Sequence, residues 1–372
     1  MYDSFHVKNF RGFRDLQLQD IGRINLFAGK NNAGKTSLLE AMHIHSGNRN
    51  PNTLLRSNLM LGDDFPWRSR LRAPYTEPPN IISWDDIFND SKSEKKISML
   101  ASLTKKPKNV HFEISEFEIE INSLSPDSEE FIATLKEYEV EDDDRYENVE
   151  ILEFKSNFGS KPLYVLLAND KVKGAGFKSN ILIPSDFINT RAQMNTATIA
   201  QLYSLMKKSG NIGSFIEALR IVEPKLQDLD LLYSGNRPLI YVDIGIGKLL
   251  PITSLGDGMN RIAGLILAMS EVSHGVLFVD EIENGYHYSI QQDVWKIIDQ
   301  VSRESNIQVF ATTHSKEMLQ AAHEAFKDDD PYEFRFHRLD RDIENGNVKA
   351  VTYNAYGMKA LAEFDFDHEV RG

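Results

Sequence analysis

The stretch INLFAGKNNAGKTS, residues Ile24–Ser37, decides how the rest of the chain is interpreted. An apolar run ends at Ala28, the pattern GKNNAGKT follows at residues 29–36, and helix-forming residues continue over 38–42. This order of strand, glycine-rich loop and helix is the context of a phosphate-binding P-loop. Glycine lets backbone N–H groups turn towards phosphate oxygens, and the following helix presents its positive end to the same anion. The stretch therefore predicts a nucleotide-binding site.

Two side chains of this loop carry most of the predicted chemistry. Lys35 is placed to reach the β- and γ-phosphates of a nucleotide, and we count it among the catalytic residues. The Thr36 hydroxyl is placed to bind Mg²⁺, a cation that takes oxygen ligands. The other loop residues that we expect to line the phosphates are Gly29, Asn31, Asn32, Ala33, Gly34 and Ser37.

A second informative stretch covers residues 251–281, PITSLGDGMNRIAGLILAMSEVSHGVLFVDE. Apolar residues at helical spacing over 262–272 predict a helix, and a glycine-rich turn precedes it. The apolar run 275–279 predicts a buried parallel strand that ends in Asp280 and Glu281. Beside a P-loop this is a Walker B arrangement, in which Asp280 holds Mg²⁺ through water and Glu281 polarises the attacking water.

A further apolar run at residues 307–311 predicts another strand, and the polar residues 312–315 follow it. Polar side chains at the carboxyl end of a buried strand face the ligand crevice of an open α/β sheet. A lone histidine is more often structural, but this position favours a contact between His314 and the γ-phosphate.

Composition restricts the class of protein. The 372 residues are 41% hydrophobic and 26% charged, which is ordinary for a globular protein. The apolar runs fall short of the roughly 18 residues that span a bilayer, and the first residues do not resemble a signal peptide. With no cysteine, disulfides and thiolate metal sites are excluded, and we expect a cytoplasmic location. The net charge of −13 argues against a uniformly basic nucleic-acid binder but leaves open a local basic groove or DNA binding through a partner.

These elements in this order resemble the ABC-type ATPases of the SMC, RecF and OLD branch. Besides the P-loop and the Walker B pair, residues 254–261 take the place of the ABC signature, and His314 takes that of the switch histidine. The resemblance implies ATP and Mg²⁺ as cofactors. It also implies an α/β ABC-type ATPase head, with a mostly parallel core sheet flanked by helices, an antiparallel β subdomain and a helical or irregular insertion.

The resemblance divides the ATPase domain into three parts. They are an N-terminal part with the P-loop at 1–50, an inserted β-rich and helical region at 51–235, and a C-terminal part with the signature, Walker B and switch histidine at 236–372. In the inserted region, alternating apolar residues predict strands at 111–115, 117–121, 163–167 and 180–184. Two helices are predicted over 197–222, with a break near residues 209–211.

Two further parts of the site are implied by the resemblance alone. The opening FHVKNFRGFRDL resembles the first strands of this branch, which places Asn9 and Arg11 near the adenine and phosphates. In the signature, Ser254, Gly256 and Gly258 are implied to contact the nucleotide of a second copy, so that ATP clamps a homodimer.

The signature departs from the usual Leu-Ser-Gly-Gly-Gln, because Gly256 stands at the serine position, Asp257 at a glycine and Met259 at the glutamine. Any contact to the partner's γ-phosphate is therefore expected through backbone N–H groups. A Q-loop glutamine is not identified from the sequence, and Gln193 and Gln201 are the candidates.

The stretch DEIENGYH, residues 280–287, resembles the Walker B and D-loop region of OLD-like ATPases, which are associated with phage defence and TOPRIM nuclease modules. Fewer than 60 residues follow His314, too few for a TOPRIM unit, and we interpret the pair Asp365 and Asp367 as part of a tail. The leading hypothesis is an ATPase that dimerises on ATP and regulates a nuclease on a separate chain. Higher oligomers, and DNA binding through that complex, stay open.

Three alternatives remain. A RecF-like repair ATPase would bind DNA directly, through a basic groove across the dimer. A non-hydrolysing nucleotide-gated interaction module would fail an ATPase assay. The nucleotide-binding subunit of a membrane transporter fits least, because the KNFRGF opening and the altered signature argue against it.

Overall fold

The computed structural model describes the residue ranges 1–47, 87–89, 95–104, 108–119, 149–157, 163–168, 171–174, 182–189, 196–342 and 344–364. The strands in chain order are β1 (Tyr2–Phe10), β2 (Phe13–Leu18), β3 (Ile24–Ala28), β4 (Lys96–Leu103), β5 (Asn109–Ile119), β6 (Val149–Ser156), β7 (Leu163–Ala168), β8 (Lys171–Gly174), β9 (Ser185–Asn189), β10 (Asp228–Ser234), β11 (Arg237–Asp243), β12 (Leu250–Pro251), β13 (Val276–Asp280), β14 (Gln308–Thr312), β15 (Phe334–Arg341) and β16 (Val348–Tyr353). The helices are α1 (Lys35–Ser46), α2 (Thr196–Lys208), α3 (Ile212–Arg220), α4 (Asp257–Glu271), α5 (Gln291–Glu304), α6 (Lys316–Phe326) and α7 (Ala355–Phe364).

The core sheet has the strand order β16-β15-β3-β14-β13-β9. Its strands are parallel except β16, which pairs antiparallel with β15 at one edge. Every residue of β3, β13 and β14 is buried, as expected of a parallel sheet that is covered on both faces. The P-loop strand β3 therefore lies inside the sheet, between β15 and β14.

Alternate residues of the core strands face two different hydrophobic layers. Leu26, Leu277 and Val309 pack with the layer that contains helices α2 to α6. Phe27, Phe278 and Phe310 point to the other face, where their rings stack on one another beneath α1, with centroids 5.6 Å apart for Phe278 and Phe310. The period-two pattern of each strand thus fixes which face the P-loop helix covers.

The antiparallel sheet has the strand order β2-β1-β4-β5-β6-β7-β8 and shares its hydrophobic layer with α1. Two hydrogen bonds join it to the core sheet at one point. The Gln308 side chain accepts the Tyr2 N–H at 2.7 Å and donates to the Tyr2 carbonyl at 2.9 Å. A small sheet of β10, β11 and β12 precedes the signature helix α4.

These sheets and helices confirm the predicted fold class, an α/β ATPase head with a mostly parallel core sheet and an antiparallel β subdomain. The predicted helix break is confirmed, because α2 ends at Lys208 and α3 begins at Ile212. The strand predicted at 180–184 is wrong for residues 182–184, and residues 180 and 181 lie outside the described residues. Residues 182 and 183 form a bend, and β9 begins only at Ser185, which pairs with Val276 of β13. The strand predicted at 111–115 and the described part of that predicted at 117–121, residues 117–119, belong to one strand, β5. Among the described residues, no helix is both long and apolar enough to cross a bilayer.

Candidate functional site

The predicted phosphate-side residues meet at one edge of the core sheet. Because β3, β13 and β14 run parallel, their carboxyl ends lie side by side, and each is followed by one of the predicted motifs. The P-loop follows β3, the Walker B pair ends β13, and His314 follows β14. This edge is where ligands bind in open α/β sheets.

The P-loop encloses the side chain of Lys35, which is 5% exposed. Its ammonium group donates to the carbonyls of Gly29 at 2.8 Å and Lys30 at 3.1 Å, so the charge lies within the loop. Burial lowers the pKa of Lys35 to about 8, although Asp280 and other nearby carboxylates oppose that shift. An anion bound in the loop would favour the charged form of this lysine.

Two glycines of the loop allow close packing against neighbouring elements. A methyl group on Gly29, whose φ is +142°, would lie 2.3 Å from the Leu339 carbonyl oxygen of β15. One on Gly34, whose φ is +88°, would lie 2.8 Å from the Phe13 ring of β2. Both positions therefore require glycine on two counts, backbone conformation and space. The loop is thus held between the N-terminal hairpin and β15.

The remaining loop residues are placed as follows. Asn31 and Asn32 are exposed, and Asn32 has a left-handed backbone with φ 74°. Ala33 is buried and donates its N–H to the Lys30 carbonyl at 3.1 Å, whereas Ser37 is half-buried in the first turn of α1. Arg341 donates to the Asn32 carbonyl at 3.3 Å, a contact from β15 that the sequence did not indicate.

The two predicted metal ligands face each other. The Thr36 hydroxyl lies 3.1 Å from Oδ1 and 3.0 Å from Oδ2 of Asp280. A hydroxyl and a carboxylate, each supplying hard oxygen, beside a loop shaped for phosphates are the ligands that Mg²⁺ accepts together with a nucleotide. The residues present therefore fit the predicted cation.

The Walker B turn is joined to the end of β14 through Thr312, which is fully buried. The Thr312 hydroxyl lies 2.6 Å from Oδ1 of Asp280 and accepts the N–H of Glu281 at 2.7 Å. Glu281 has a left-handed backbone with φ 52°, and its Oε2 accepts the Asn284 side-chain amide at 2.8 Å. Glu281 thus projects from a constrained turn at the edge of the sheet.

His314 lies beside the same groups. Its backbone N–H donates to Oε1 of Glu283 at 2.7 Å. Burial lowers the pKa of His314, the Lys35 charge lowers it further, and the carboxylates of Glu283, Glu281 and Asp280 oppose the shift. Burial and the Lys35 charge thus favour the neutral imidazole, in which one ring nitrogen can donate a hydrogen bond.

The Asn9–Arg11 turn lies next to the P-loop helix. Arg11 pairs with Glu40 of α1, whose side chain is 3% exposed. Burial raises the pKa of Glu40 to about 7, although the Arg11 charge opposes that shift. Asn9 donates its side-chain amide to the Lys96 carbonyl at 3.0 Å. Contacts of Asn9 and Arg11 with adenine or phosphate remain predictions.

The signature residues lie at the start of α4. Ser254 and Gly256 are exposed, and Gly256, with φ 100°, is the N-cap residue immediately before α4. A methyl group on Gly258 would lie 3.6 Å from the Gly285 carbonyl oxygen, so the helix start packs on the turn after Walker B. Their contact with a second copy's nucleotide is likewise a prediction.

Sequence reasoning missed three side chains of the site: Glu40, Glu283 and Asn284. Glu40 is the one charged residue in the run 38–42, and this was the available signal. Of the Q-loop candidates, Gln201 is exposed on α2, and Gln193 lies outside the described residues, as do Asp365 and Asp367.

Comparison with known proteins gives the following similarities. Residues 1–319 match the family described as AAA ATPase domain. A Helicobacter pylori protein named ATP/GTP phosphatase is 23% identical over 352 residues, which cover 89% of this chain and 90% of that protein. An uncharacterized Methanocaldococcus jannaschii protein is 33% identical over 259 residues, 65% of this chain and 95% of that protein.

Solved structures of SMC head domains are also similar. An SMC head bound to the C-terminal winged-helix domain of ScpA has a TM-score of 0.49 at 14% identity, covering 97% of this chain and 99% of that one. The SMC head domain from Thermotoga maritima has a TM-score of 0.47 at 12% identity, covering 95% of this chain and 98% of that one.

Proposed function

The chain belongs to the AAA ATPase domain family, and we therefore propose that it binds ATP with Mg²⁺ and hydrolyses the bond between the β- and γ-phosphates. The observation that carries the proposal is the meeting of Thr36, Asp280 and Lys35 at the carboxyl ends of the parallel strands β3 and β13, which flank β14 in the core sheet. The Thr36 hydroxyl, the Asp280 carboxylate and the buried ammonium group of Lys35 therefore lie together where a triphosphate would bind. Phosphoryl transfer depends on positioning and charge stabilisation of this kind.

The residues of the chain divide the work of this reaction. The P-loop N–H groups and Lys35 bind the phosphates and neutralise the charge that grows on the γ-phosphate oxygens. Thr36 and Asp280 would hold the cation. Mg²⁺ bound by them would supply further stabilisation of the charge that develops during phosphoryl transfer.

Glu281 orients the attacking water and accepts its proton. Asn284 donates to one carboxylate oxygen of Glu281 at 2.8 Å and thereby orients the carboxylate. His314 donates a hydrogen bond to the γ-phosphate from the end of β14. General-base contributions of this kind are typically worth about 10²–10⁴-fold in rate.

We propose further that ATP binding closes two copies on each other. Ser254 and Gly256 are exposed at the start of a 15-residue helix, and the N-terminus of a helix attracts anions. In a face-to-face dimer, Gly256 and Gly258 would present backbone N–H groups to the γ-phosphate held by the other P-loop. Light scattering of Glu281→Gln with ATP and Mg²⁺ should give twice the monomer mass. A mass that stays monomeric at saturating ATP would contradict the closure.

The effector is proposed from the resemblance of residues 280–287 to OLD-like ATPases. The dimer would regulate a nuclease carried by a separate chain, in phage defence, with DNA reached through that complex. Affinity purification with and without ATP, followed by mass spectrometry and a plasmid-cleavage assay, tests this. Recovery of the chain without any nuclease in both nucleotide states would contradict it.

The hydrolysis proposal is tested with two variants and a control. Lys35→Ala should abolish measurable ATP binding in calorimetry, because it removes the buried cation of the loop. Glu281→Gln should bind ATP but turn over at least about 10²-fold more slowly. Lys208→Ala, at an exposed position of α2, is the control for loss of a lysine charge. Since one relative is named ATP/GTP phosphatase, each assay is run with both nucleotides.

Unchanged ATP affinity in Lys35→Ala would refute the P-loop assignment. Normal turnover in Glu281→Gln would move the base elsewhere, with His314 the first residue to test. ATP binding without any hydrolysis in the wild-type chain would favour the non-hydrolysing module instead.

A further inference from the structure

Thr312 makes three hydrogen bonds to the Walker B turn and is the residue through which β14 holds that turn. Its hydroxyl contacts the Asp280 carboxylate at 2.6 Å and the Glu281 N–H at 2.7 Å, and its carbonyl accepts the Ile282 N–H at 2.9 Å. We propose that Thr312 is a positioning residue that orients the Asp280 carboxylate for Mg²⁺ and fixes the backbone from which Glu281 projects. The inference rests on the proposed ATP hydrolysis and adds to it a residue that contacts neither nucleotide nor metal.

The direction of these bonds follows from the groups involved. A backbone N–H only donates, so the Thr312 oxygen must accept from Glu281. The single hydroxyl proton of Thr312 is then left for Asp280, whose ionised carboxylate only accepts. The hydroxyl therefore connects the two residues by accepting from Glu281 and donating to Asp280. Rotation of the Asp280 carboxylate would break the charge-assisted hydrogen bond from the Thr312 hydroxyl.

Two hydroxyls contact Asp280, and they have different fates in the proposed cycle. Thr36 is a metal ligand, so its oxygen would turn from Asp280 to the cation when Mg²⁺ and nucleotide bind. Thr312 lies on the strand side, is fully buried and stays in place. It thus keeps Oδ1 of Asp280 oriented while the carboxylate holds the metal-bound water. Outer contacts of this kind tune metal affinity by about 10–100-fold.

The backbone of Glu281 needs the same support. A φ of 52° is uncommon for a residue that is not glycine, and such a conformation persists only when its surroundings impose it. The Thr312 hydroxyl accepts the N–H of Glu281 itself, and the Thr312 carbonyl accepts the N–H of the next residue, Ile282. Without the hydroxyl, the Glu281 N–H would lose this acceptor, and the turn would relax towards an ordinary conformation.

The test compares Thr312→Val, which removes the hydroxyl at nearly equal size, with Thr312→Ser, which retains it. Binding of a fluorescent ATP analogue is measured in EDTA and across a Mg²⁺ titration, together with steady-state turnover. Thr313→Val is the matched control, because Thr313 is the next residue and is as fully buried as Thr312. Its hydroxyl accepts the Ser315 N–H and not that of Glu281. Thr312→Ala gives the same measurement without an added methyl group should the valine variant not fold.

We expect Thr312→Val to bind the analogue in EDTA as wild type does, while the Mg²⁺ concentration for half-saturation rises about 10-fold or more. Thr312→Ser should restore the wild-type Mg²⁺ dependence, and Thr313→Val should not alter it. An unchanged Mg²⁺ dependence in Thr312→Val and Thr312→Ala would overturn the positioning role alone. A wild-type chain that binds no ATP at any Mg²⁺ concentration would instead overturn the proposed function.

Discussion

The buried pair of Arg11 and Glu40 predicts a pH dependence of stability that one substitution should remove. The Glu40 side chain is 3% exposed on the P-loop helix, and burial raises its pKa to about 7 from an ordinary value of 4.5. Arg11 lowers this pKa but does not cancel the effect of burial. The substitution Glu40→Gln keeps the shape of the side chain and an acceptor oxygen for Arg11. It removes the titratable carboxyl group.

The sign and size follow from the two pKa values. The pKa of Glu40 is higher in the folded state than in the unfolded state, so protonation of Glu40 stabilises the folded state. This stabilisation is fully present below about pH 4.5 and is lost as the pH rises through about 7. Each tenfold difference in proton affinity corresponds to about 1.4 kcal/mol, so the whole change is about 3 kcal/mol. About 1.4 kcal/mol of it falls between pH 6 and pH 8.5.

The assay is urea unfolding of wild type and Glu40→Gln in EDTA without nucleotide, at intervals from pH 6 to pH 8.5. This range stays above the sequence isoelectric point of 5.3. The difference in unfolding free energy between the two proteins should shift by about 1.4 kcal/mol against wild type as the pH rises. Glu217→Gln, on the exposed face of α3, controls for removal of a carboxylate from a helix.

Parallel pH curves for wild type and Glu40→Gln would refute the reasoning, because they would mean that Glu40 is ionised throughout this range. A shift of the same size in Glu217→Gln would attribute the effect to net charge rather than to burial.

Three further substitutions test the surroundings of the site. Gly29→Ala places a methyl group 2.3 Å from the Leu339 carbonyl oxygen, at a residue whose φ is +142°. The free energy of unfolding, measured by urea denaturation, should therefore fall by about 3 kcal/mol or more. Gly285→Ala places a methyl group 2.1 Å from Nε of Arg261 in the signature helix, so ATP-induced dimerisation, measured by light scattering, should weaken. His314→Ala should keep ATP affinity in a fluorescence titration but slow turnover by about 10²-fold.

Each of these variants has a contrasting outcome. Gly12→Ala is the control for Gly29→Ala, because no atom of the described residues lies within 4 Å of the added methyl group. Gly247→Ala matches Gly285→Ala in backbone conformation, with φ +77° against +80°, and its methyl group also meets none of the described part of the chain within 4 Å. Equal effects within either pair would show that the close contact is unimportant. Wild-type turnover in His314→Ala would remove the histidine from the proposed mechanism.

The sequence was most informative where function requires particular residue types at fixed spacing. The P-loop and the Walker B pair are such cases, and the parallel pairing of β13 and β3 with β14 brings these two stretches to the same edge of the sheet. The strand predicted at 180–184 was misplaced by a few residues, because its apolar run precedes the residues that actually pair with β13.

Other features depend on contacts between distant parts of the chain. Strand β15 reads FRFHRLDR, and its fully buried His337 is accounted for only by bonds to Thr352 at 2.9 Å and to Asn25 at 3.2 Å. The Thr312 hydroxyl likewise gains its role only once β13 and β14 are in register. The partners of Glu40 and Thr312 are therefore set by tertiary structure, which one sequence read locally does not reveal.

The position of β3 within the core sheet also determines when the nucleotide site is complete during synthesis. Its neighbours are β14 and β15, and 284 residues separate Asn25 from the Val309 carbonyl that its side chain contacts. At roughly 5–20 residues per second, a ribosome needs about 15–60 s to add that length of chain. For this interval the apolar strand INLFA lacks both of the strands that flank it in the folded sheet. The edge of the sheet that carries the P-loop is therefore complete only after β14 and β15 have been synthesised.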